Sequence, residues 1–516
     1  MTSLHMSRLS RSLVSISRGC RGYERGLEQN WCGNVHFHSS KSHMPESMAE
    51  LQDIVRATAA APVRVVGRGH SFSPIAECAG GTLISLTHLN KIIDFEAPDV
   101  AQQGSVGSIT IEGGTTYTEV ARFLAQGRRG ALRNLPSCPQ FTVAGAIATA
   151  THGSGVHLAN LASDVSMIEF VRADGQLVRY DREASRELLE GCRVHLGCLG
   201  VVSQLRLDVV PFFDVDARTY MDMPLESTLQ SLPELWRRCD SLSVWTAGFG
   251  HGPGAGTCWV TLRHFVPHWD ETRRAPGPTP LEPALLGESG SLMQRPINRY
   301  CTEVGSPQTT IFSPTRVGPW YSHLTLTLDD ECEETSMGVV DLQAEFFVPL
   351  EHAQPAMRAL WEAASGWTFS SPPMDTAPPV KGLVDAMEFR QVKGDGAWLS
   401  PQPVDSLGIH ISFNGDPERR AEVMRALAAR VLERFFSCPP LDMHACTPAH
   451  MHTYVQVRCL SSRRRSTRLE RGHTGASLAR RRWRPLGWRS SMATSSAAFA
   501  LSVKSTTLRA SSGMST

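Results

Sequence analysis

The chain opens its folded part with short apolar, β-branched runs separated by turns. Val63 to Val66 stops at Gly67, Thr82 to Leu86 is followed by Ile92 to Phe95, and Ile109 to Glu112 stops at Gly113-Gly114. Runs of this length bounded by glycine read as strands. Between them, Tyr117 to Gln126 repeats its apolar positions at helical spacing. Met167 to Val171 and Gln176 to Tyr180 flank Ala-Asp-Gly, which predicts a hairpin. Residues 31 to 211 therefore predict an α+β layer structure. Residues 212 to 440 carry further strand-like runs, among them Gly408 to Phe413. Proline-rich stretches at Pro276 to Pro283 and Pro372 to Pro379 interrupt them and predict surface loops. No internal repeat is present, and no apolar run reaches the roughly 18 residues of a membrane span.

Composition changes the picture at the ends. Hydrophobic residues make up 41% and charged residues 20% of 516, an ordinary globular balance with room for two or three cores. The net charge of +1 argues against a dedicated nucleic-acid binder, but it hides an asymmetry. From Cys446 onward there are 13 Lys/Arg against one acid, Glu470, leaving 38 basic and 49 acidic residues before it. Residues 441 to 516 thus form a basic tail, including Arg463-Arg464-Arg465 and Arg480-Arg481-Arg482, with no helix or strand period and an expectation of disorder. At the other end, Arg8, Arg11, Arg18 and Arg21 precede the first acid, Glu24, and Leu4, Leu9, Leu13 and Ile16 share a helical face. Residues 1 to 28 so read as an organelle import peptide, placing the protein in mitochondria, or else as an unstructured terminus of a cytoplasmic protein. Thirteen scattered cysteines without a Cys-x-x-Cys pair do not form a disulfide framework. His444, Cys446, His450 and His452 match no structural zinc spacing, so no metal is expected.

The chemistry lies in two small-residue segments. The usual dinucleotide, P-loop, nucleophile-elbow and zinc-protease motifs are absent. Instead the strand ending at Val66 runs into Gly67-Arg68-Gly69-His70-Ser71-Phe72, a turn whose free backbone N–H groups suit a pyrophosphate. Later, Val143-Ala-Gly-Ala-Ile-Ala-Thr-Ala-Thr-His-Gly-Ser-Gly155 permits close approach to a flat ligand and supplies hydroxyls. Each segment alone is an ordinary turn. Their pairing, followed by Leu199-Gly200-Val201-Val202, resembles the vanillyl-alcohol-oxidase superfamily of flavoproteins. Within it, Asn30-Trp31-Cys32-Gly33-Asn34 and Trp398-Leu399-Ser400-Pro401 resemble the aldonolactone oxidase and alditol (xylitol) oxidase branch, over about residues 29 to 437.

The resemblance implies a two-subdomain PCMH-type FAD-binding domain over 29 to 211 and an α+β substrate (cap) domain with an antiparallel sheet over 212 to 440. It implies FAD bonded covalently through His70, with the turn from Gly67 through Arg68, Gly69, Ser71 and Phe72 to Ser73 around the pyrophosphate. Ser137, Thr142, Gly145, Thr149, Ala150, Thr151, His152 and Val202 fall at the family's other flavin contacts. Glu388 and Arg390 stand two apart, on one face of a strand, as do His410 and Ser412 in the next run. Without the resemblance, Glu388 and Arg390 would read as a surface ion pair. With it, Arg390 is the candidate to steady a developing alkoxide, Glu388 its partner, His410 a proton acceptor, and Ser137 and Ser412 substrate contacts. Pro136 sits where the superfamily governs oxygen access and favours an oxidase. The family's His-Trp-Gly-Lys segment has no counterpart after Ser437. Three readings follow. The first is oxidation of a polyol such as xylitol or sorbitol, with oxygen giving hydrogen peroxide. The second is oxidation of a sugar-1,4-lactone, with oxygen or an acceptor such as cytochrome c. The third is a flavin-binding remnant without turnover.

Overall fold

The computed structural model describes residues 27–247 (except 32, 59 and 103), 256–267, 291–292, 316–325, 342–365 and 384–413. The import-like segment before residue 27, both proline-rich stretches, the His444–His452 group and the basic tail lie outside the described residues.

Three sheets carry the architecture of the described residues. The first is a small parallel sheet of β1 (Lys41–His43), β2 (Val63–Val66) and β3 (Thr82–Ser85), in the order β1-β3-β2. Helix α1 (Met48–Ala57), capped by Ser47 accepting from the Glu50 amide, buries Leu51 and Val55 against it. The second is antiparallel and contains β4 (Ile92–Glu96), β5 (Gly107–Glu112), β6 (Val165–Val171), β7 (Leu177–Asp181) and β8 (Val201–Val209), in the order β4-β5-β8-β6-β7. β6 and β7 pair antiparallel across the Ala-Asp-Gly turn, where Gly175 takes the left-handed φ of +76°. Helix α2 (Tyr117–Ala125) has a complete capping box between Thr116 and Glu119 and packs Val120, Ala121 and Leu124 onto this sheet. The short helices α3 (Val143–Ala148) and α4 (Arg186–Cys192) complete the layer.

The third sheet has eight strands: β9 (Phe213–Pro224), β10 (Ser241–Ala247), β11 (Thr257–Pro267), β12 (Ser291–Leu292), β13 (Arg316–Pro319), β14 (Leu342–Pro349), β15 (Val384–Val392) and β16 (Ser406–Phe413). Their order is β12-β9-β11-β10-β15-β16-β14, with β13 also on β9. Alternation sorts its two faces. Val244, Val260, Phe346, Phe389 and Ile409 point one way, into a core shared with helices α5 (Leu225–Arg237) and α6 (Ala353–Ser365). The other face carries Glu345, Glu388, Arg390, His410 and Ser412 beside Trp245 and Phe347. It is joined to the layer below by a backbone bridge, since Gly155 N–H donates to Gln391 O at 2.8 Å and Lys393 N–H to Leu158 O at 3.0 Å.

Candidate active site

Strand β2 delivers the turn that carries His70. Gly67 has no room for a side chain, because a Cβ there would lie 2.3 Å from Thr142 Oγ1, and Gly69 has a φ of +71°. Two asparagines fix the turn from outside. Asn30 Nδ2 donates to Ser71 O at 2.9 Å, Asn34 Nδ2 donates to Phe72 O at 3.0 Å, and the Trp31 N–H donates to Gly69 O at 2.8 Å. The Trp31 ring stacks on His70 at 5.0 Å with planes 23° apart, and Phe141 closes on the imidazole at 4.8 Å. Burial, with Arg68 nearby, lowers the His70 pKa from 6.5 to about 3, so the imidazole is neutral in any ordinary buffer.

Thr142 faces the turn from the start of α3, its hydroxyl accepting from the Gly145 N–H at 3.3 Å. The small-residue segment is helical over Val143–Ala148 and then leaves the helix: Thr149 Oγ1 donates back to Gly145 O, and Ala150 adopts a left-handed φ of +57°. Such a conformation in a residue other than glycine is strained and persists only where its surroundings impose it. A cavity of about 240 Å³ lies between the turn and this segment. Gly67, Arg68, Gly69, His70, Ser71, Ser73, Thr142, Gly145, Thr149, Thr151 and Val202 all line it. The donor set fits a dinucleotide: a glycine turn beside Arg68 for phosphates, hydroxyls for sugar and ring oxygens, and Leu86 and Val202 for an apolar base.

Four of the expected flavin contacts lie off this cavity. Phe72 packs on the core of the large sheet and edge-on to Trp31. Ala150 is buried, its carbonyl accepting from Gln402 Nε2. Ser137 and His152 turn to the polar face of the large sheet.

On that face the register aligns side chains from four strands. Glu345 pairs with His410, His410 with Glu388, and Glu388 with Trp245; one row along, Phe347, Gly408, Arg390 and Ser243 align in the same way. Arg390 sits at the centre and is buried. Its Nη1 donates to Ser137 Oγ at 3.0 Å, its Nε lies 3.3 Å from the Glu388 carboxylate, and its Nη2 lies 3.5 Å from Glu345. Burial disfavours its charge, but Glu388 and Glu345 more than offset that and raise its pKa. Glu388 is 6% exposed, so the pair is an interior one and not the surface ion pair that spacing alone suggests. Ser412 is buried one row further along β16.

The FAD binding domain family matches residues 43–181. The chain is 30% identical to an alditol oxidase from Streptomyces sp. over 408 residues, 77% of this chain and 85% of that protein. The chain belongs to the alditol oxidase and aldonolactone oxidase branch of the FAD-linked oxidoreductases. It is also 36% identical over 212 residues to L-gulono-1,4-lactone dehydrogenase of Mycobacterium tuberculosis, covering 40% of this chain and 45% of that one. The L-gulonolactone oxidase of Mus musculus is 29% identical over 214 residues, 41% of this chain and 46% of the mouse protein. In fold it resembles cholesterol oxidase from B. sterolicum, with a TM-score of 0.55 at 14% identity, over 80% of this chain and 84% of that one. This member of the branch is an FAD-dependent oxidoreductase with the expected PCMH-type flavin fold beside an antiparallel sheet, and FAD is its cofactor.

Sequence reasoning passed over Asn30, Trp31 and Asn34 as site residues, although the Asn-Trp-Cys-Gly-Asn motif was visible; their role depends on a contact 38 to 41 residues away. It also passed over Glu345. Among the described residues no group of His, Cys, Asp and Glu is placed to hold a metal ion, and no helix is long and apolar enough to cross a membrane.

Proposed function

We propose that this oxidoreductase oxidises a polyol such as xylitol or sorbitol at a terminal carbinol, with oxygen as acceptor and hydrogen peroxide as the second product. The observation that carries the reading is Arg390: a buried guanidinium, held on its edges by Glu388, Ser137 and Glu345, on a sheet face otherwise lined by Trp245 and His410. A fixed cation of this kind favours an alkoxide over the neutral alcohol, which is the charge that develops as hydride departs. Bound FAD supplies the two-electron acceptor for that hydride. His410, opposite Glu388 in the register, would take the hydroxyl proton. Ser137 and Ser412 would bond substrate hydroxyls, and Trp245, edge-on to His410 at 6.2 Å, would cover the C–H face of the carbon chain. His70 would carry the flavin. Its neutral imidazole is the nucleophilic form, and an imidazole on the flavin ring withdraws electrons and favours oxidation of unactivated alcohols.

A second reading, oxidation of a sugar-1,4-lactone, is supported by the lactone enzymes among the relatives. In that case the import-like N-terminus would place the protein in mitochondria, with cytochrome c able to accept electrons. One experiment separates the readings. Purified protein is precipitated with acid and the pellet inspected for flavin, and native protein is then given xylitol, sorbitol or a gulono- or galactono-lactone in air. A yellow pellet and polyol-dependent peroxide are expected. Lactone turnover, or dye reduction without peroxide, moves the assignment to the second reading. A colourless pellet refutes the His70 bond, and a yellow pellet without any turnover leaves a flavin-binding remnant.

A further inference from the structure

Glu345 stands outside the roles assigned so far, and its surroundings are unusual for a carboxylate in mid-strand. It comes from β14 on the large sheet, yet its nearest titratable neighbour belongs to the flavin layer: His152 Nε2 lies 3.0 Å from its Oε1. The His152 ring is fixed in turn, its Nδ1–H donating to Gly153 O at 2.7 Å and its face meeting Phe347 edge-on at 5.3 Å. From the other side Arg390 Nη2 reaches the same Oε1 at 3.5 Å. One oxygen therefore joins an imidazole from the flavin layer to the guanidinium of the sheet. Burial would disfavour a carboxylate here, but His152, with Arg390 and His410, holds the carboxyl well below the usual carboxylate range, so it stays charged.

The backbone is adapted to this contact. Gly408 lies between Phe347 and Arg390 in the register, and a Cβ there would come within 3.2 Å of both Glu345 Oε1 and His152 Cε1. Glycine inside a buried strand weakens the strand and marks a close approach by something else. Here the approach is that of His152 to the sheet. His152 follows Thr149 and Thr151, which line the cofactor cavity, and precedes Gly155, which bonds to β15 beside Arg390.

We propose that Glu345 is a positioning residue that sets the Arg390 guanidinium and, through His152, references it to the flavin-bearing segment. The role rests on the reading of Arg390 given above. Glu388 and Ser137 hold two edges of Arg390 and leave Nη2 unheld; the Glu345–His152 pair fixes that third edge and adds a second tie, beside Ser137, to the flavin layer. The titratable groups around the pair are Arg390, Glu388 and His410 on the sheet, with Arg263 behind them on β11.

Two variants and two readouts test this. In Glu345→Gln holoenzyme, the limiting rate of anaerobic flavin reduction by xylitol should fall about 100-fold, with the apparent Kd for xylitol changed less than about fivefold. The flavin midpoint potential, measured by dye equilibration without any substrate, should shift positive, because a negative charge beside the flavin layer has been removed. A higher potential by itself would speed reduction, so slower reduction at higher potential isolates positioning. Gly408→Ala, which crowds the pair and keeps every charge, should lose about tenfold in rate with the potential unchanged. An unchanged or faster rate in Glu345→Gln, or an unchanged potential, overturns the proposal. If wild-type flavin is reduced by neither polyols nor lactones, the functional reading fails, and the potential still decides whether Glu345 couples to the flavin layer.

Discussion

At the scale of single residues the site depends on groups whose charge state is set by burial. His70 is held neutral from about pH 3 upward, whereas a free imidazole is neutral only above about 6.5. Lowering the folded pKa keeps the nucleophilic form available in acid. Flavin attachment to apo-protein should therefore proceed at the same rate at pH 5.5 and pH 8, measured as acid-precipitable flavin over time. A roughly tenfold loss at pH 5.5 would indicate an ordinary histidine. Arg390 makes a different demand, since its three edges face three partners. Arg390→Lys keeps the charge but cannot span Ser137, Glu388 and Glu345 together. We expect a loss of about 10² to 10³ in kcat with flavin content unchanged, measured by peroxide release per bound flavin.

At the scale of elements, the turn after β2 works because three separate pieces of chain meet on it. Asn30→Ala would remove the Nδ2 bond to Ser71 O and the acceptor for the Val35 amide. A cost of about 1–3 kcal/mol in unfolding free energy is expected, with slower flavin attachment. Gly67→Ala should be more severe at the site. The added methyl would displace Thr142, and with it the cap of α3, so the protein should purify with little flavin, read from its absorbance ratio.

These elements were unequally legible. β2, α2 and the β6–β7 hairpin follow from a β-branched run stopped by glycine, helical spacing of apolar residues and a turn tripeptide, all local in the chain. The helical start at Val143 was not read, because a run of Ala and Gly has neither apolar period nor strong propensity, and its cap bond from Gly145 to Thr142 decides it. Glu388 and Arg390 were legible as a same-face pair, but their burial was not. Glu345 was illegible, since Gln343, Glu345 and Phe347 alternate with Ala344, Phe346 and Val348 as any half-exposed strand would. The one hint was Gly408 in the middle of a strand.

At the scale of the whole molecule, the polar face of the large sheet is held to the flavin layer by bonds far apart in the chain. Besides the bridge at Gly155, Ser154 Oγ donates to Leu242 O at 2.5 Å. Asn160 reaches Asp395 and Ser400, which places the Trp398-Leu399-Ser400-Pro401 segment against that layer, with the Trp398 ring over Gly191. The motif that marks the branch is thus a clamp, although Trp398 is 64% exposed. Within the clamp, burial raises the Asp395 pKa against the bonds from Ser400, Ala397 and Asn160. A carboxyl whose folded pKa is raised favours the native state in acid and loses that contribution as pH rises from about 3.8 through the folded value. Asp395→Asn should therefore flatten the change of Tm with pH across that window, measured by calorimetry on holoprotein; a parallel profile would contradict it.

Local order and the flavin motifs were readable from residues in sequence, because strand alternation, helix caps and glycine turns act over a few residues and leave their pattern in the chain. The charge state of His70, the burial of Arg390 and the meeting of Glu345 with His152 were decided by the tertiary structure alone. Each depends on desolvation or on a contact between strands and layers that only the register and the docking of the sheets bring together.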